Sequence, residues 1–197
     1  MNIPNAKERI LKTAVKIFAE RSFEGARIEE IAREANVPKS LIYYHFKSKD
    51  EILEVLTANF IEEYVSLLAS NSSETHKEKA EELPERMKNV YYEFGQKNDD
   101  LVRVMFIDSL KKSKDKPILF KVIDKMIEKE MENTTDSNYD IQERRIAEFF
   151  TSFIPNYAYV CFAESWTRYF QIERGEFDKI FLKVYEETHG AYHKKHE

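Results

Sequence analysis

The stretch IEEIAREANVPKSLIYYHFKSK, residues 28–49, contains two short helical patterns separated by a turn. The apolar residues of the first pattern are Ile28, Ile31, Ala32 and Ala35. They recur at positions i, i+3, i+4 and i+7, which form one face of a helix. Residues 36–38 (NVP) predict a tight turn, because Asn tolerates a positive φ and Pro fits the opening of a helix. The stretch therefore predicts a helix-turn-helix.

The second pattern predicts a short helix from Lys39 to Phe46. Leu41 or Ile42, together with Phe46, can reach the core of the domain. The remaining surface carries several hydrogen-bond donors, namely Lys39, Ser40, Tyr43, Tyr44 and His45. Such a short helix, rich in donors and aromatic rings, is poorly explained as core alone. A helix that enters the major groove of DNA explains it better.

The charge distribution agrees with a DNA-binding N-terminal part. The chain of 197 residues has a formal net charge of −5. Residues 1–50 nevertheless contain ten Lys and Arg against seven Asp and Glu, which leaves a net charge of −8 for the rest. A positive end suits contact with phosphate, although an excess of three charges is modest support beside the motif.

Cysteine content and hydropathy favour a cytoplasmic protein that does not enter a membrane. A single cysteine, Cys161, excludes an internal disulfide framework and a cysteine-rich metal site. The opening residues MNIPNAKER lack the apolar run of a signal peptide. The longest charge-free run, residues 149–163, is shorter than the roughly 20 residues of a spanning helix.

Helical periodicity continues to the end of the chain, and no segment alternates with period two. Ser48 and Glu51 match a capping box that begins a long helix, and Asp140 predicts another helix start. Gly25 predicts a left-handed reversal after the first helix. We expect an all-α protein of about nine helices, with a three-helix DNA-binding domain at 1–48 and a helical ligand-binding and dimerisation domain at 49–197.

The N-terminal motifs together resemble the tetracycline-repressor (TetR) family of bacterial transcription regulators. The resemblance covers about residues 6–55. It rests on Phe23-Glu24-Gly25, Ile31-Ala32, Val37, Ile42-Tyr43, His45-Phe46 and Lys49. It implies a homodimer whose C-terminal helices bind a small-molecule effector and whose two reading helices enter successive major grooves of double-stranded DNA.

The resemblance also assigns DNA-contacting positions. Three residues depart from the family pattern, because Arg27 replaces a capping Thr or Ser, Asn36 a turn glycine, and Pro38 a capping Ser or Thr. Arg27 loses the cap but offers a cationic phosphate contact. Base and phosphate roles overlap in the resulting set. The predicted DNA-binding residues are Arg27, Lys39, Ser40, Leu41, Tyr43, Tyr44, His45 and Lys49.

The aromatic C-terminal part predicts a pocket for a mainly apolar or aromatic effector, although each ring there is more often core than pocket. A cationic effector would need a carboxylate such as Asp108. The candidate pocket residues are Met105, Phe106, Asp108, Phe120, Phe150, Phe153, Tyr157 and Trp166.

Residues 149–162 are apolar almost all round, so they need cover on two sides, and a partner subunit is the natural second cover. We expect helices at 141–173 and 177–192 to form a four-helix interface with their mates. The candidate dimer-interface residues are Phe149, Phe153, Val160, Phe162, Phe177, Phe181 and Val184.

No catalytic motif or cofactor-binding motif is visible, so an enzyme is not expected. The spacing of His189, His193 and His196 permits a metal site, but a solvated tail is the favoured interpretation and no metal is predicted. The sequence predicts a homodimeric repressor that an effector releases from a palindromic operator. Alternatives are an activator or ligand-independent regulator of the same family, or a helical protein-interaction module that binds no DNA.

Overall fold

The computed structural model describes residues 5–70, 93–111, 117–131 and 140–192. Within these ranges the regular structure is helical and contains no strand, which confirms the all-α prediction. The N-terminal helices are α1 (Ala6–Gly25), α2 (Ile28–Glu34) and α3 (Lys39–His45), and the connecting helix is α4 (Lys49–Ser70).

Five further helices follow in the described part of the chain. A three-residue helical turn, Gly95–Lys97, precedes α5 (Asp99–Ser109), and α6 spans Ile118–Met131. The next helix, α7 (Ile141–Ala147), continues through a π-helical segment, Glu148–Phe153, into α8 (Ile154–Phe170). The last helix, α9 (Arg174–Tyr185), continues into a second π-helical segment, Glu186–Gly190.

Side chains at the predicted helix starts accept hydrogen bonds from backbone N–H groups. The Ser48 hydroxyl accepts from the Glu51 N–H at 3.1 Å, at the start of α4. The Asp140 carboxylate accepts from the N–H groups of Gln142 and Glu143 at 2.8 and 3.1 Å. Both predicted N-caps are confirmed, and each satisfies N–H groups that have no partner inside the helix. The Glu51 carboxylate accepts from the Lys47 N–H, whereas a full capping box would have it accept from the Ser48 N–H.

The turn between α2 and α3 has the predicted backbone, whereas the left-handed residue near the end of α1 is not the predicted one. Asn36 has a φ of 52°, in the left-handed region that Asn tolerates. Gly25 does not have a positive φ, so the prediction for it was wrong. Ser22 has φ 63° instead, and its hydroxyl accepts a hydrogen bond from the Gly25 N–H at 3.4 Å. A local hydroxyl bond therefore accompanies the positive φ there.

One continuous hydrophobic core joins the N-terminal helices to the rest of the described chain. In the N-terminal part, Phe18, Ile42 and Phe46 are almost completely buried. The same cluster extends along α4 from Ile52 to Tyr64. Helix α1 also packs extensively on α5, so two helices, α4 and α5, connect the helix-turn-helix to the C-terminal part.

The two π-helical segments face each other across buried polar contacts. The hydroxyls of Ser152 and Tyr185 lie 2.8 Å apart, and Thr151 Oγ1 lies 2.9 Å from His189 Nδ1. His189 is therefore buried, and the expectation of a solvated histidine was wrong for this residue. His193 and His196 lie outside the described residues. No helix of the described ranges is both long and apolar enough to cross a membrane.

Candidate functional site

The outer surface of α3 presents polar and aromatic side chains to solvent. Ile42 is fully buried on the inner side and fixes the helix against the core. On the outer side Lys39 and Ser40 are exposed, and Tyr43 and Tyr44 have 51% and 81% of their surface accessible. Exposed tyrosines of this extent are not needed for packing, so α3 offers a surface for a partner.

Contacts with neighbouring side chains orient the start of this surface. The Lys39 ammonium pairs with the Glu29 carboxylate of α2 and lies 5.6 Å from the centroid of the Tyr43 ring. The hydrogen bond between the two groups raises the pKa of Lys39 and lowers that of Glu29. Both groups are solvent-exposed, so this pair orients Lys39 and adds little stability.

The other predicted DNA-contacting residues differ in exposure. Arg27 is exposed at the N-terminus of α2 and makes no side-chain cap there. His45 and Leu41 are half-buried, and the His45 ring packs edge-on against Tyr44 at 5.1 Å between centroids. We call the surface that these residues form the α3 face. Its members are Arg27, Lys39, Ser40, Leu41, Tyr43, Tyr44 and His45.

Lys49 makes different contacts from the residues of the α3 face. Its ammonium donates to the backbone carbonyls of Glu24 and Ala26 at 3.2 and 3.0 Å. It also lies 4.7 Å from the centroid of the Phe23 ring. Lys49 therefore binds the connection between α1 and α2, and this structural role was not visible in the sequence.

The same connection is bound from the C-terminal part of the chain. The Lys111 ammonium, just after α5, pairs with the Glu24 carboxylate and lies 3.0 Å from Asp108 Oδ1. The hydrogen bond from Lys111 lowers the pKa of Glu24. Asp108 lies near the C-terminal end of α5 and is almost completely buried. The contacts among Asp108, Lys111 and Glu24 therefore link this end of α5 to the helix-turn-helix.

A small cavity lies between α4, α5 and the segment that contains α8. It measures about 20 Å³, and a cavity needs about 10–15 Å³ to contain one water molecule. Its walls are mostly aromatic and aliphatic. The lining residues are Phe60, Tyr64, Phe94, Gly95, Val102, Phe153, Asn156, Tyr157 and Val160.

Two of the predicted pocket residues, Phe153 and Tyr157, line this cavity. Met105 is buried in the core, Phe106 is half-buried, and Asp108 is paired with Lys111. The other three predicted pocket residues are instead at least half exposed, and they are Phe120, Phe150 and Trp166.

A second surface is formed by exposed apolar side chains on α8 and α9. On α8 they recur at i, i+4, i+7 and i+8, which is one helix face. The rings of Trp166 and Phe177 lie 6.3 Å apart and join the two helices. We call this surface the α8–α9 face, and its exposed members are Phe162, Trp166, Tyr169, Phe170, Ile180 and Val184.

The predicted dimer-interface residues divide between this face and the core. Phe162 and Val184 belong to the α8–α9 face. Phe177 and Phe181 are half-buried against the Tyr159 ring, and Phe149 packs between Phe120 and Phe150. Phe153 and Val160 are instead buried in the cavity wall.

Sequence analysis missed part of the α8–α9 face, although a signal for it was present. The i, i+4, i+7 series from Phe153 leads to Tyr157 and Val160, and its next member is Glu164. Trp166 is not on that series, so helical spacing alone separates it from the cavity wall. Across the described ranges no group of three or more His, Cys, Asp or Glu is arranged to bind a metal ion.

Known proteins match the N-terminal part of the chain in sequence. Residues 10–56 match the family described as "Bacterial regulatory proteins, tetR family". The HTH-type transcriptional regulator YerO of Bacillus subtilis is 47% identical over 47 residues, which cover 24% of this chain and 16% of YerO. The negative transcriptional regulator IcaR of the biofilm operon icaADBC from Staphylococcus epidermidis is 26% identical over 70 residues, 36% of this chain and 38% of IcaR. The matched segment is thus well under half of either relative.

Solved structures extend the likeness to the fold of most of the chain. The fatty acid degradation regulator FadR from Bacillus halodurans has a TM-score of 0.63 at 18% identity, covering 94% of this chain and 96% of that one. FadR from Bacillus subtilis, solved in complex with stearoyl-CoA, has a TM-score of 0.60 at 18% identity and covers 90% and 96%. Residues 10–56 therefore match the N-terminal domain of the TetR family, and most of the chain shares its fold with the FadR regulators.

Replacing Lys49 with Met tests its structural role. The variant keeps the aliphatic stem but loses the ammonium and its two hydrogen bonds to carbonyls. We expect the free energy of unfolding to fall by about 1–2 kcal/mol, the order expected for bonds from a charged donor. Urea denaturation measures it, with Lys47→Met, an exposed lysine two residues earlier, as the matched control. Equal stability of the two variants would show that Lys49 has no such role.

Proposed function

We propose that the protein is a homodimeric repressor that binds a palindromic operator through the α3 face and is released by a small, mainly apolar or aromatic effector. The observation that carries the proposal is the α3 face itself, with its exposed ammonium, hydroxyl and phenol groups on a helix that Ile42 fixes from behind. Such donors recognise base edges and phosphate oxygens in the major groove. The site of action would be the cytoplasm.

Repression rather than activation is supported by one relative. IcaR, which shares the N-terminal sequence, is a negative transcriptional regulator. Binding of a small molecule is supported by the stearoyl-CoA complex of the Bacillus subtilis FadR, which shares the fold. The cavity among α4, α5 and α8 gives this chain a candidate site for such a molecule.

Dimerisation is supported by the α8–α9 face. Six large apolar side chains, each about half exposed or more, lie on α8 and α9. The two helices are in contact through the rings of Trp166 and Phe177. Contiguous apolar surface of this kind marks interaction sites, and two copies of a helix pair form a four-helix interface around a two-fold axis. Two-fold symmetry would place two α3 helices about one turn of DNA apart or somewhat more, which matches a palindrome.

Contacts of the α1–α2 connection suggest how an effector would act on DNA binding. Lys49 at the start of α4 and Lys111 after α5 both bind this connection. The same two helices supply Phe60, Tyr64 and Val102 to the cavity wall. A ligand that widens the cavity would move α4 relative to α5 and so reorient α2 and α3. Coupling of about 1–3 kcal/mol would give a useful response.

DNA binding is tested with Lys39→Met and Tyr43→Ala on DNA from the region upstream of the protein's own gene. We expect Tyr43→Ala to lower affinity about tenfold, within the range of one lost contact to a base or the backbone. Lys39→Met should lower the slope of log affinity against log salt by about 1, because one fewer counterion is released.

Fluorescence anisotropy across a salt series measures both quantities. Lys121→Met, exposed on α6 outside both faces, is the matched control and should bind as the wild type does. Wild-type affinity in both α3 variants would exclude the α3 face as the DNA-binding surface. A wild-type protein that binds no DNA even in low salt would refute the proposed function and favour a protein-interaction module.

Dimerisation is tested by sedimentation equilibrium of the wild type and Phe162→Glu at micromolar concentration. Phe162 has 53% of its surface exposed, so the substitution puts a charge on the α8–α9 face without disturbing the core. We expect a wild-type dimer and a predominantly monomeric variant, because a carboxylate in an apolar interface loses its hydration. Tyr44→Glu, an equally drastic change on the α3 face, should stay dimeric. A monomeric wild type would contradict the proposal.

A further inference from the structure

Two residues in the cavity wall carry buried polar atoms without a hydrogen-bond partner among the described residues. They are the side-chain oxygen of Asn156 and the hydroxyl of Tyr157. Their side chains belong to residues with only 3% and 7% of their surface exposed. Buried polar groups are almost always paired, so two such atoms in the wall of one cavity require an explanation.

The hydrogen bonds of Asn156 fix which end of its amide lacks a partner. Its Nδ2 donates to the Ser152 carbonyl at 2.8 Å and lies 3.4 Å from the Tyr185 hydroxyl. Since a carbonyl can only accept, the NH₂ group must be on that side. The remaining oxygen is therefore an acceptor that calls for a donor.

Tyr157 contributes an uncharged phenol. Burial raises the pKa of its hydroxyl well above the ordinary value, so the group is neutral at physiological pH. A neutral phenol can donate one hydrogen bond and accept another. Its ring packs against Phe153, 5.1 Å away between centroids, which keeps it on the cavity side of α8.

The cavity wall contains no charged side chain among the described residues. A carboxylate, phosphate or ammonium placed there would lose its hydration without gaining a counter-charge. Rings supply most of the remaining wall, and the Phe60 and Phe94 rings are 4.9 Å apart between centroids. The wall therefore favours an apolar body and an uncharged polar group.

We propose that this cavity binds the uncharged hydrogen-bonding end of an otherwise apolar small molecule. The ligand's O–H or N–H donates to the Tyr157 hydroxyl, the side-chain oxygen of Asn156 is a further acceptor in the same wall, and the apolar part of the ligand displaces the surrounding rings. Displacement is required because about 20 Å³ accommodates no more than a water molecule. The inference rests on the proposed ligand response for its regulatory meaning, but binding itself is measured separately.

Phenol and toluene are the probes, because they have nearly the same shape and differ in one hydroxyl. Titration calorimetry gives the dissociation constant of each for the wild type and for Tyr157→Phe. We expect the wild type to prefer phenol, and the preference to fall about fivefold in Tyr157→Phe, the effect of one neutral hydrogen bond. Benzoate, which adds a charge to the same ring, should not bind.

Two controls show that the variant reports on the cavity. Tyr169→Phe removes an exposed hydroxyl from the same helix and should leave the preference for phenol unchanged. Tyr157→Phe removes only a hydroxyl that has no partner among the described residues, so its melting temperature should not fall. Equal preference in the wild type and Tyr157→Phe, or tighter binding of toluene, would overturn the polar recognition. Binding of neither probe would leave a water-sized cavity and overturn the site.

Anisotropy of labelled DNA in the same samples separates this inference from the proposed function. Phenol that binds according to the predicted preference supports the site, whether or not DNA is released. Failure to release DNA would then count against the ligand response alone. If the wild type binds DNA but neither probe, the cavity site is refuted and the proposed role of the α3 face in DNA binding stands.

Discussion

Two lysines bind the short connection between α1 and α2, and the positions of α2 and α3 depend on it. Lys49 donates to two carbonyls of residues 24–26, and Lys111 pairs with the Glu24 carboxylate. The connection leads directly into α2, whose turn to α3 is fixed by Asn36 and by the buried Ile42. The two lysines belong to different parts of the chain, so a change in their separation would act on α2 and α3.

The same geometry relates the cavity to the α3 face. Lys49 begins α4 and Lys111 follows α5, and both helices supply residues to the cavity wall, such as Tyr64 and Val102. The cavity wall also includes Asn156, whose amide lies near the Tyr185 hydroxyl of α9. A ligand in the cavity would therefore contact α4 and α5, which lead to the helix-turn-helix, and α8, which carries part of the α8–α9 face. To change DNA binding, the ligand must bind one arrangement of these helices more tightly than another.

Local patterns predicted the N-terminal part well, because its structure depends on short-range chemistry. Helical periodicity gave α1 to α4, and Asn36 gave the left-handed turn. These local patterns do not predict contacts between side chains and groups that are distant in sequence. The sequence does not reveal that the Lys49 ammonium binds carbonyls more than twenty residues earlier. It also does not reveal that Asp108 forms an ion pair with Lys111.

The C-terminal aromatics are harder to assign to core, cavity or surface from sequence, for a related physical reason. A helical face identifies which side chains share a direction but not what lies in that direction. Phe153 and Trp166 are both aromatic residues of one continuous helical stretch, yet one lines the cavity and the other is exposed. The π-helical segment at Glu148–Phe153 adds to this, because its wider turn changes the angular relation between α7 and α8. The sequence of that segment does not predict a π-helical turn.

The central claim is that the C-terminal part positions α2 and α3 through the α1–α2 connection. Amide hydrogen exchange of residues 26–46 in Lys111→Met, compared with the wild type and with Lys121→Met, tests it most directly. We predict faster exchange at residues 26–46 in Lys111→Met alone, although the substitution lies more than sixty residues away in sequence. Exchange at the wild-type rate throughout these residues would contradict the account.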